Sequence, residues 1–286
     1  MNMNSERIIG LFRAEKISPS ITVIEDITGT RCLLVEGKKK AVLIDTCSGA
    51  GNLKVFVDSL TSLPLTVILT HGHGDHAGGA AWFDEVYLSK ADWSLVEHHA
   101  SMDMKMGYVS FTAGEKAAQL RSEDYCPVRT TGYLDLEDGM EFDLGDVELT
   151  VISIPGHTKG MACILNRTER TILFGDACNP SVFMWDEEAA TIEEYRENLQ
   201  KLKGYEDQYD TVILSHGPIK VDKSVLDEVI QICGEIMAAT DDAVPFAFMD
   251  YQGLKLAKKA NHEGRRLDGK IGNIVYNPKK IFKEQR

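Results

Sequence analysis

Three histidines and an aspartate fall within six residues at His71-Gly72-His73-Gly74-Asp75-His76. Imidazole nitrogens and carboxylate oxygens are the ligands that zinc and similar divalent ions take. The interleaved glycines let the loop turn His71 and His73 to one side and Asp75 and His76 to the other. The loop therefore reads as two adjoining metal sites. A histidine-rich surface loop is the plainer alternative, but this one directly follows the apolar run Leu65 to Leu69, and matching residues recur downstream. His157 stands in Pro155-Gly156-His157-Thr158-Lys159-Gly160, Asp176 in Gly175-Asp176, and His216 in Ser215-His216-Gly217-Pro218. Each follows an apolar run. Taken together, His71, His73 and His157 would hold one ion and Asp75, His76 and His216 a second, with Asp176 able to bridge. Two divalent ions about 3.5–4 Å apart share a water, lower its pKa towards neutrality and polarise the oxygen it attacks, which makes a hydroxide nucleophile.

Residues scattered over 146 positions converge only if their turns lie at one edge of a sheet assembly. The pattern supports that. Strands are expected at Ile21 to Ile24, Arg31 to Glu36 and Ala41 to Ile44, with a hairpin turn at Gly37-Lys38. Asp45 ends the third, either as an ordinary strand-end cap or as a group that orients a metal-binding histidine. Leu53, Phe56, Val57 and Leu60 have helical spacing. The metal loop then sits at the carboxyl end of strand Leu65 to Leu69, where open sheets place their chemistry. A short helix is expected near Gly79, a strand at Glu85 to Leu88 and a helix from Ser89. Further strands follow at Met140 to Asp143, Val147 to Ile154, Met161 to Leu165, Thr171 to Phe174, Thr211 to Leu214 and Ile274 to Tyr276. Between them Ile192, Tyr195, Leu199 and Leu202 mark one helix, and Val225 to Met237 another. Residues from about His98 to Tyr125 break this pattern with His98-His99, Met102, Met104, Met106, Tyr108 and Phe111, then the helical-looking Ala113 to Leu120. They read either as a partly buried helical excursion or as a lid over the metal site.

A length of 286 residues and 43% hydrophobic content supply an ample core. Acidic residues outnumber basic ones 44 to 31, for a net charge of −13, so the surface should repel nucleic acid and anionic membranes. From Gly253 to Arg286 the balance reverses, with ten basic residues against three acidic. That segment is either a solvated terminus or a contact for an anionic substrate or neighbouring subunit. Six cysteines without C-x-x-C spacing suit buried, reduced thiols. Met1 to Arg7 show no basic region leading into an apolar core, and no stretch approaches about 18 apolar residues. A cytoplasmic protein without membrane contact is expected.

The H-x-H-x-D-H loop with its downstream partners resembles the signature of the metallo-β-lactamase-fold hydrolases over roughly residues 20 to 220. The resemblance implies an α/β protein of the α+β type, a four-layer αββα sandwich of two mixed β-sheets flanked by helices. Its binuclear centre would lie at one edge of the sheets, with the seven residues above as ligands and Asp75 also a proton acceptor. The whole of 1–286 would form one such domain, with a helical Met-rich insertion at about 98–127 and a basic C-terminal extension at about 245–286. Thr70-His71-x-His73-x-Asp75-His76-x-Gly78-Gly79, Gly156-His157-Thr158-x-Gly160 and Gly175-Asp176 look most like the glyoxalase II-type branch. True β-lactamases of the fold typically lack the bridging aspartate, and the oxygen-reducing di-iron branch carries glutamate where His73 stands. Lactone-cleaving relatives often place a tyrosine three residues after the bridge, where this chain has Asn179. The family usually has glycine after the Asp45-Thr46 pair, where this chain has Cys47. The implied activity is hydrolysis of an acyl bond (thioester, ester or lactone) of a small molecule, with two divalent ions as cofactors, zinc first and iron or manganese also suited. Phosphodiesterase or nuclease chemistry at the same site is the alternative, disfavoured by the charge. A metal-holding protein without turnover is a third reading, disfavoured by the complete ligand set. Homo-oligomerisation is left open.

Overall fold

The computed structural model describes residues 10–99, 101–248 and 251–283, so the stretch Met1 to Arg7 lies outside the described residues. The chain divides into two compact units, 1–149 and 150–286.

In the first unit, β1 (Phe12–Lys16), β2 (Ile21–Asp26), β3 (Arg31–Glu36) and β4 (Ala41–Ile44) form an antiparallel meander. The Gly37 turn closes as expected, its N–H donating to the Lys40 carbonyl at 3.0 Å. A parallel neighbour needs a crossover. Helix α1 (Leu53–Leu60) provides it, started by Asn52, whose side chain accepts from the Val55 N–H. Its buried face of Leu53, Phe56 and Val57 packs on alternate sheet residues, among them Cys32, Leu34, Leu43, Val67 and Leu69. β5 (Leu65–Ile68) then runs parallel to β4 with Ile68 opposite Ile44. That register brings the turns after the two strands, which begin with Asp45 and with Thr70, out at the same sheet edge.

Helix α2 (Gly74–Ala77) lies inside the metal loop, earlier than the helix expected near Gly79, where a 3-10 turn Ala80–Trp82 follows. β6 (Val86–Leu88) precedes α3 (Trp93–His99), and the Met-rich stretch contains α4 (Met102–Ala113). Met102, Met106, Val109 and Ala113 give α4 an apolar face at helical spacing, packed with Ile27, Ala50 and Tyr125. Met104 and Phe111 on its exposed side hide that spacing in the sequence. Ala113 to Leu120, expected to be helical, turns out as the 3-10 segment Gly114–Gln119. The insertion is fastened to the unit. The Cys126 N–H donates to the Gly49 carbonyl and the Gly51 N–H to the Asp124 carbonyl, each at 2.8 Å, while the buried Lys105 ammonium donates to the carbonyls of Cys126 and Pro127. Burial pushes the Lys105 pKa down. The short β7 (Leu134–Asp135) completes a seven-stranded sheet in the order β1 to β7. β8 (Glu141–Asp143) and β9 (Glu148–Ser153) follow in the chain.

The second unit continues with β10 (Ala162–Asn166), β11 (Thr171–Leu173), β12 (Val182–Met184), α5 (Ile192–Lys203), β13 (Thr211–Ile213), β14 (Lys220–Val221), α6 (Ser224–Met237), β15 (Val244–Phe248), β16 (Tyr251–Leu256) and β17 (Ile274–Tyr276). β14, β13, β11, β10 and β9 form one mixed sheet in that order, with β13 parallel to β11. Tyr195, Leu199 and Leu202 of α5 and Val225, Val229 and Cys233 of α6 share its core. A capping box starts α5: the Thr191 side chain accepts from the Glu194 N–H, and the Glu194 carboxylate accepts from the Thr191 N–H and hydroxyl.

A further sheet, β12-β17-β16-β15, was visible in the sequence only as a strand at Ile274 to Tyr276. One face places Val182, Met184, Ile274 and Tyr276 in the main core, and the other carries Phe183, Trp185, Phe246, Phe248 and Val275. The basic segment is built into this unit. Lys258 pairs with Glu235, Arg266 with Asp268 and Lys283 with Glu197, and the Lys280 ammonium donates to the carbonyls of Asp186 and Ala189. Both units are mixed sheets flanked by helices, as expected for the α/β class. Among the described residues no helix is long and apolar enough to cross a membrane.

Candidate metal centre

The first unit holds His71 and His73 on the loop between β5 and α2, and Asp75 and His76 on α2 itself. The loop is laced to the turn after β4. Thr46 donates both its N–H and its hydroxyl to the His76 carbonyl, at 2.6 and 2.9 Å, and the Gly78 N–H donates to the Cys47 carbonyl. The approach is close enough that a Cβ on Gly78 would lie 2.3 Å from the Ser48 carbonyl oxygen. Asp45 (φ 66) and Cys47 (φ 56) both take the left-handed conformation, so the turn the family makes with glycine is made here with cysteine. From the other side, Gly72 donates its N–H to the buried Asp92 carboxylate at 3.0 Å.

Asp45 is the hub. It is fully buried and accepts from the Thr70 N–H (2.7 Å), the Thr70 hydroxyl (2.9 Å) and His76 Nδ1 (2.8 Å). Of the two readings the sequence allowed, it is the histidine-orienting one. A carboxylate only accepts, so the single Thr70 hydroxyl proton points at Asp45. The Thr70 oxygen, 3.0 Å from His71 Nδ1, must then accept from that ring. Both His71 and His76 thus carry their proton on Nδ1 and present the Nε2 lone pair, the form in which imidazole binds a metal. The rings of His71 and His76 stand 4.1 Å apart and those of His71 and His73 4.9 Å. Asp75 Oδ2 lies 3.7 Å from His76 Nε2, and the donor atoms of His71 and His73, of His71 and His76, and of Asp75 and His76 approach within 4.8 Å pair by pair.

The second unit holds His157, Asp176 and His216, each in a turn after β9, β11 or β13. His157 Nδ1 donates to the Phe183 carbonyl at 2.7 Å, which again leaves the Nε2 lone pair outward. His157 Nε2 lies 3.5 Å from Asp176 Oδ2, and His216 Nε2 lies 3.5 Å from Asp176 Oδ1. One carboxylate therefore faces an imidazole with each oxygen. Tyr195 of α5 steadies two of these turns. Its ring lies where a Cβ on Gly156 would come within 2.4 Å, and its hydroxyl donates to the carbonyl of Ala177, next to Asp176. Asn179 caps locally, accepting from the Ser181 N–H at 2.7 Å.

The donor chemistry fits divalent ions. Each unit gathers imidazoles and a carboxylate within a few ångströms, and the Nδ1 nitrogens of His71, His76 and His157 are committed to protein acceptors. Sequence reasoning did not find Thr70, Tyr195 or the Phe183 carbonyl in these supporting roles, nor Tyr108, whose hydroxyl donates to Asp75 Oδ2 at 3.1 Å. Burial, and then the Asp75 charge, push the Tyr108 pKa well above its ordinary value. His99, not assigned as a ligand, has its ring 4.8 Å from that of His73.

The chain matches the Metallo-beta-lactamase superfamily over residues 26–216. It is 30% identical over 161 residues to the acyl-coenzyme A thioesterase MBLAC2 of Homo sapiens, covering 50% of this chain and 56% of that protein. It is 25% identical over 236 residues to the beta-lactamase-like protein 2 homolog of Caenorhabditis elegans, covering 76% of this chain and 68% of that one. The match thus spans about half the length of the thioesterase. Among solved structures, the sec-alkylsulfatase Pisa1 from Pseudomonas sp. superposes with a TM-score of 0.62 at 15% identity, over 84% of this chain and 44% of that one. DIM-1 metallo-beta-lactamase superposes with a TM-score of 0.54 at 18% identity, over 77% of this chain and 95% of that one. These two share the fold that the sequence led us to expect. The family match runs from Asp26, ahead of the metal loop, to His216, the last of the seven residues, and the chain belongs to the Metallo-beta-lactamase superfamily.

Proposed function

We propose that the chain is a binuclear metal-dependent hydrolase that cleaves an acyl bond of a small molecule, a thioester before an ester or lactone, in the manner of the glyoxalase II-like branch. In this reading the two units act as one domain. His71, His73 and His157 would hold one divalent ion and Asp75, His76 and His216 the other, with Asp176 available to both. Zinc suits the donors best, and iron and manganese fit the same set. The observations that carry the reading are, in the first unit, the committed Nδ1 of His71 and His76 and, in the second, the committed Nδ1 of His157 with an aspartate that faces an imidazole with each oxygen. The thioesterase activity in the name of the MBLAC2 relatives supports the choice of bond.

Bound at these residues, the ions supply Lewis acidity to the acyl carbonyl and a water acidic enough to act as nucleophile near neutral pH. The protein's own groups do the rest. Asp45 and Thr70 hold His76 and His71 in the metal-binding tautomer, the Phe183 carbonyl does so for His157, and Asp75 accepts a proton through its carboxylate once the acyl bond is attacked. The net charge of −13 disfavours a long nucleic acid as substrate.

The purified chain loaded with zinc is assayed on an acyl-coenzyme A thioester, an aryl ester, a lactone and an activated phosphodiester. The reading predicts fastest turnover of the thioester, abolished by a chelator and by Asp176→Asn. Faster turnover of the phosphodiester, or thioester cleavage that survives both treatments, would overturn it.

A further inference from the structure

Tyr108 belongs to the insertion that the ligand set does not use, yet it reaches the metal loop. Its hydroxyl lies 3.1 Å from Asp75 Oδ2 and 3.3 Å from the hydroxyl of the fully buried Thr30. The proton count fixes the directions. Asp75 only accepts, so the phenol proton goes to it, and the phenol oxygen accepts from Thr30. The Thr30 N–H donates to the Thr28 hydroxyl oxygen at 3.3 Å, and Thr28 gives its own hydroxyl proton to Asp26. The Thr28 N–H donates to Asp26 at 2.8 Å, and the Ser48 N–H donates to the other Asp26 oxygen at 3.0 Å. The phenol therefore rests on a buried polar chain rooted in β2 and in the turn after β4. Its own helix cannot easily swing away, because Lys105, one turn earlier, is tied to the carbonyls of Cys126 and Pro127.

Asp75 sits on the four-residue α2 and is partly exposed, whereas His76 beside it has Asp45. We propose that Tyr108 is a positioning residue: its hydroxyl, oriented by Thr30, fixes the Asp75 carboxylate in the direction that sets Oδ2 beside His76 Nε2. The insertion thereby becomes part of the metal site's framework. The inference rests on the reading of Asp75 as a ligand. The alternative is that the Tyr108 ring merely fills the cluster around Val109 and its hydroxyl adds nothing.

Zinc titration of the metal-stripped protein in competition with a chromophoric chelator separates these. Tyr108→Phe keeps the ring and removes the proton, and is expected to weaken one zinc-binding step by roughly 10–100-fold, the usual cost of losing a group that orients a metal ligand. Thr30→Val should shift the same step in the same direction, and Thr30→Ser should restore it. Thermal unfolding of the stripped protein reports any packing effect separately. Wild-type zinc affinity in both Tyr108→Phe and Thr30→Val, with Asp75→Ala losing an ion, overturns the role of Tyr108 and leaves the ligand set standing. Two ions bound at wild-type affinity by Asp75→Ala would overturn both.

Discussion

Thr70 has one hydroxyl proton, and Asp45 takes it. From that follows the tautomer of His71, and Asp45 Oδ2, which also accepts from His76 Nδ1, sets that of His76. Asp45→Asn leaves the backbone in place but offers His76 Nδ1 a neutral amide in exchange for a carboxylate. We expect zinc affinity to fall by roughly 10–100-fold, read by the same chelator competition. Unaltered affinity would mean that His76 is oriented by packing alone. The candidate ligands stood out in the sequence because the chemistry dictates their type: only a few side chains bind divalent ions, and seven such residues lie in turns after apolar runs. Their supports were less legible, for physical reasons. The acceptor for His157 is a main-chain carbonyl, which any residue at position 183 would supply. Tyr108 lies 33 positions from Asp75, and its phenol looks in the sequence like one more aromatic in a Met-rich stretch.

At the scale of elements, strands were legible where they are buried on both faces, as β4 and β10 are, because such strands read as unbroken apolar runs. β15 was not, since Pro245 and Ala247 face outward and dilute the alternation of Val244, Phe246 and Phe248. α4 was legible only as a helical insertion without bounds, because apolar residues on both its faces blur the helical period. Helix α5 shows how much a terminus can depend on one charge. The Thr191 N–H and hydroxyl hold the Glu194 carboxyl below its ordinary value of 4.5. A carboxyl depressed in the folded state contributes stability that is fully present above that ordinary value and is lost as pH falls through the lowered one. Glu194→Ala should therefore lower stability against urea at neutral pH, and the gap to wild type should close in acid. A gap independent of pH would show that the side chain acts by packing, not by its charge.

At the scale of the molecule, two units each carry part of the proposed ligand set on turns at the ends of their strands, and the chain carries a net charge of −13. The basic segment from Gly253 onward, ambiguous in the sequence, places Lys258, Arg266, Lys280 and Lys283 among others on partners in its own unit. Specificity for the acyl group was not legible in the sequence at all, because metal ligands define a reaction type and say nothing of the group on either side of the bond. The central claim is that the halves make one binuclear centre. It is tested most directly by calorimetric titration of the metal-stripped chain with zinc, with thioester hydrolysis followed on the same samples. The account predicts two equivalents per chain, with turnover appearing only as the second is bound. Saturation at one equivalent or none, with full hydrolysis, would contradict it.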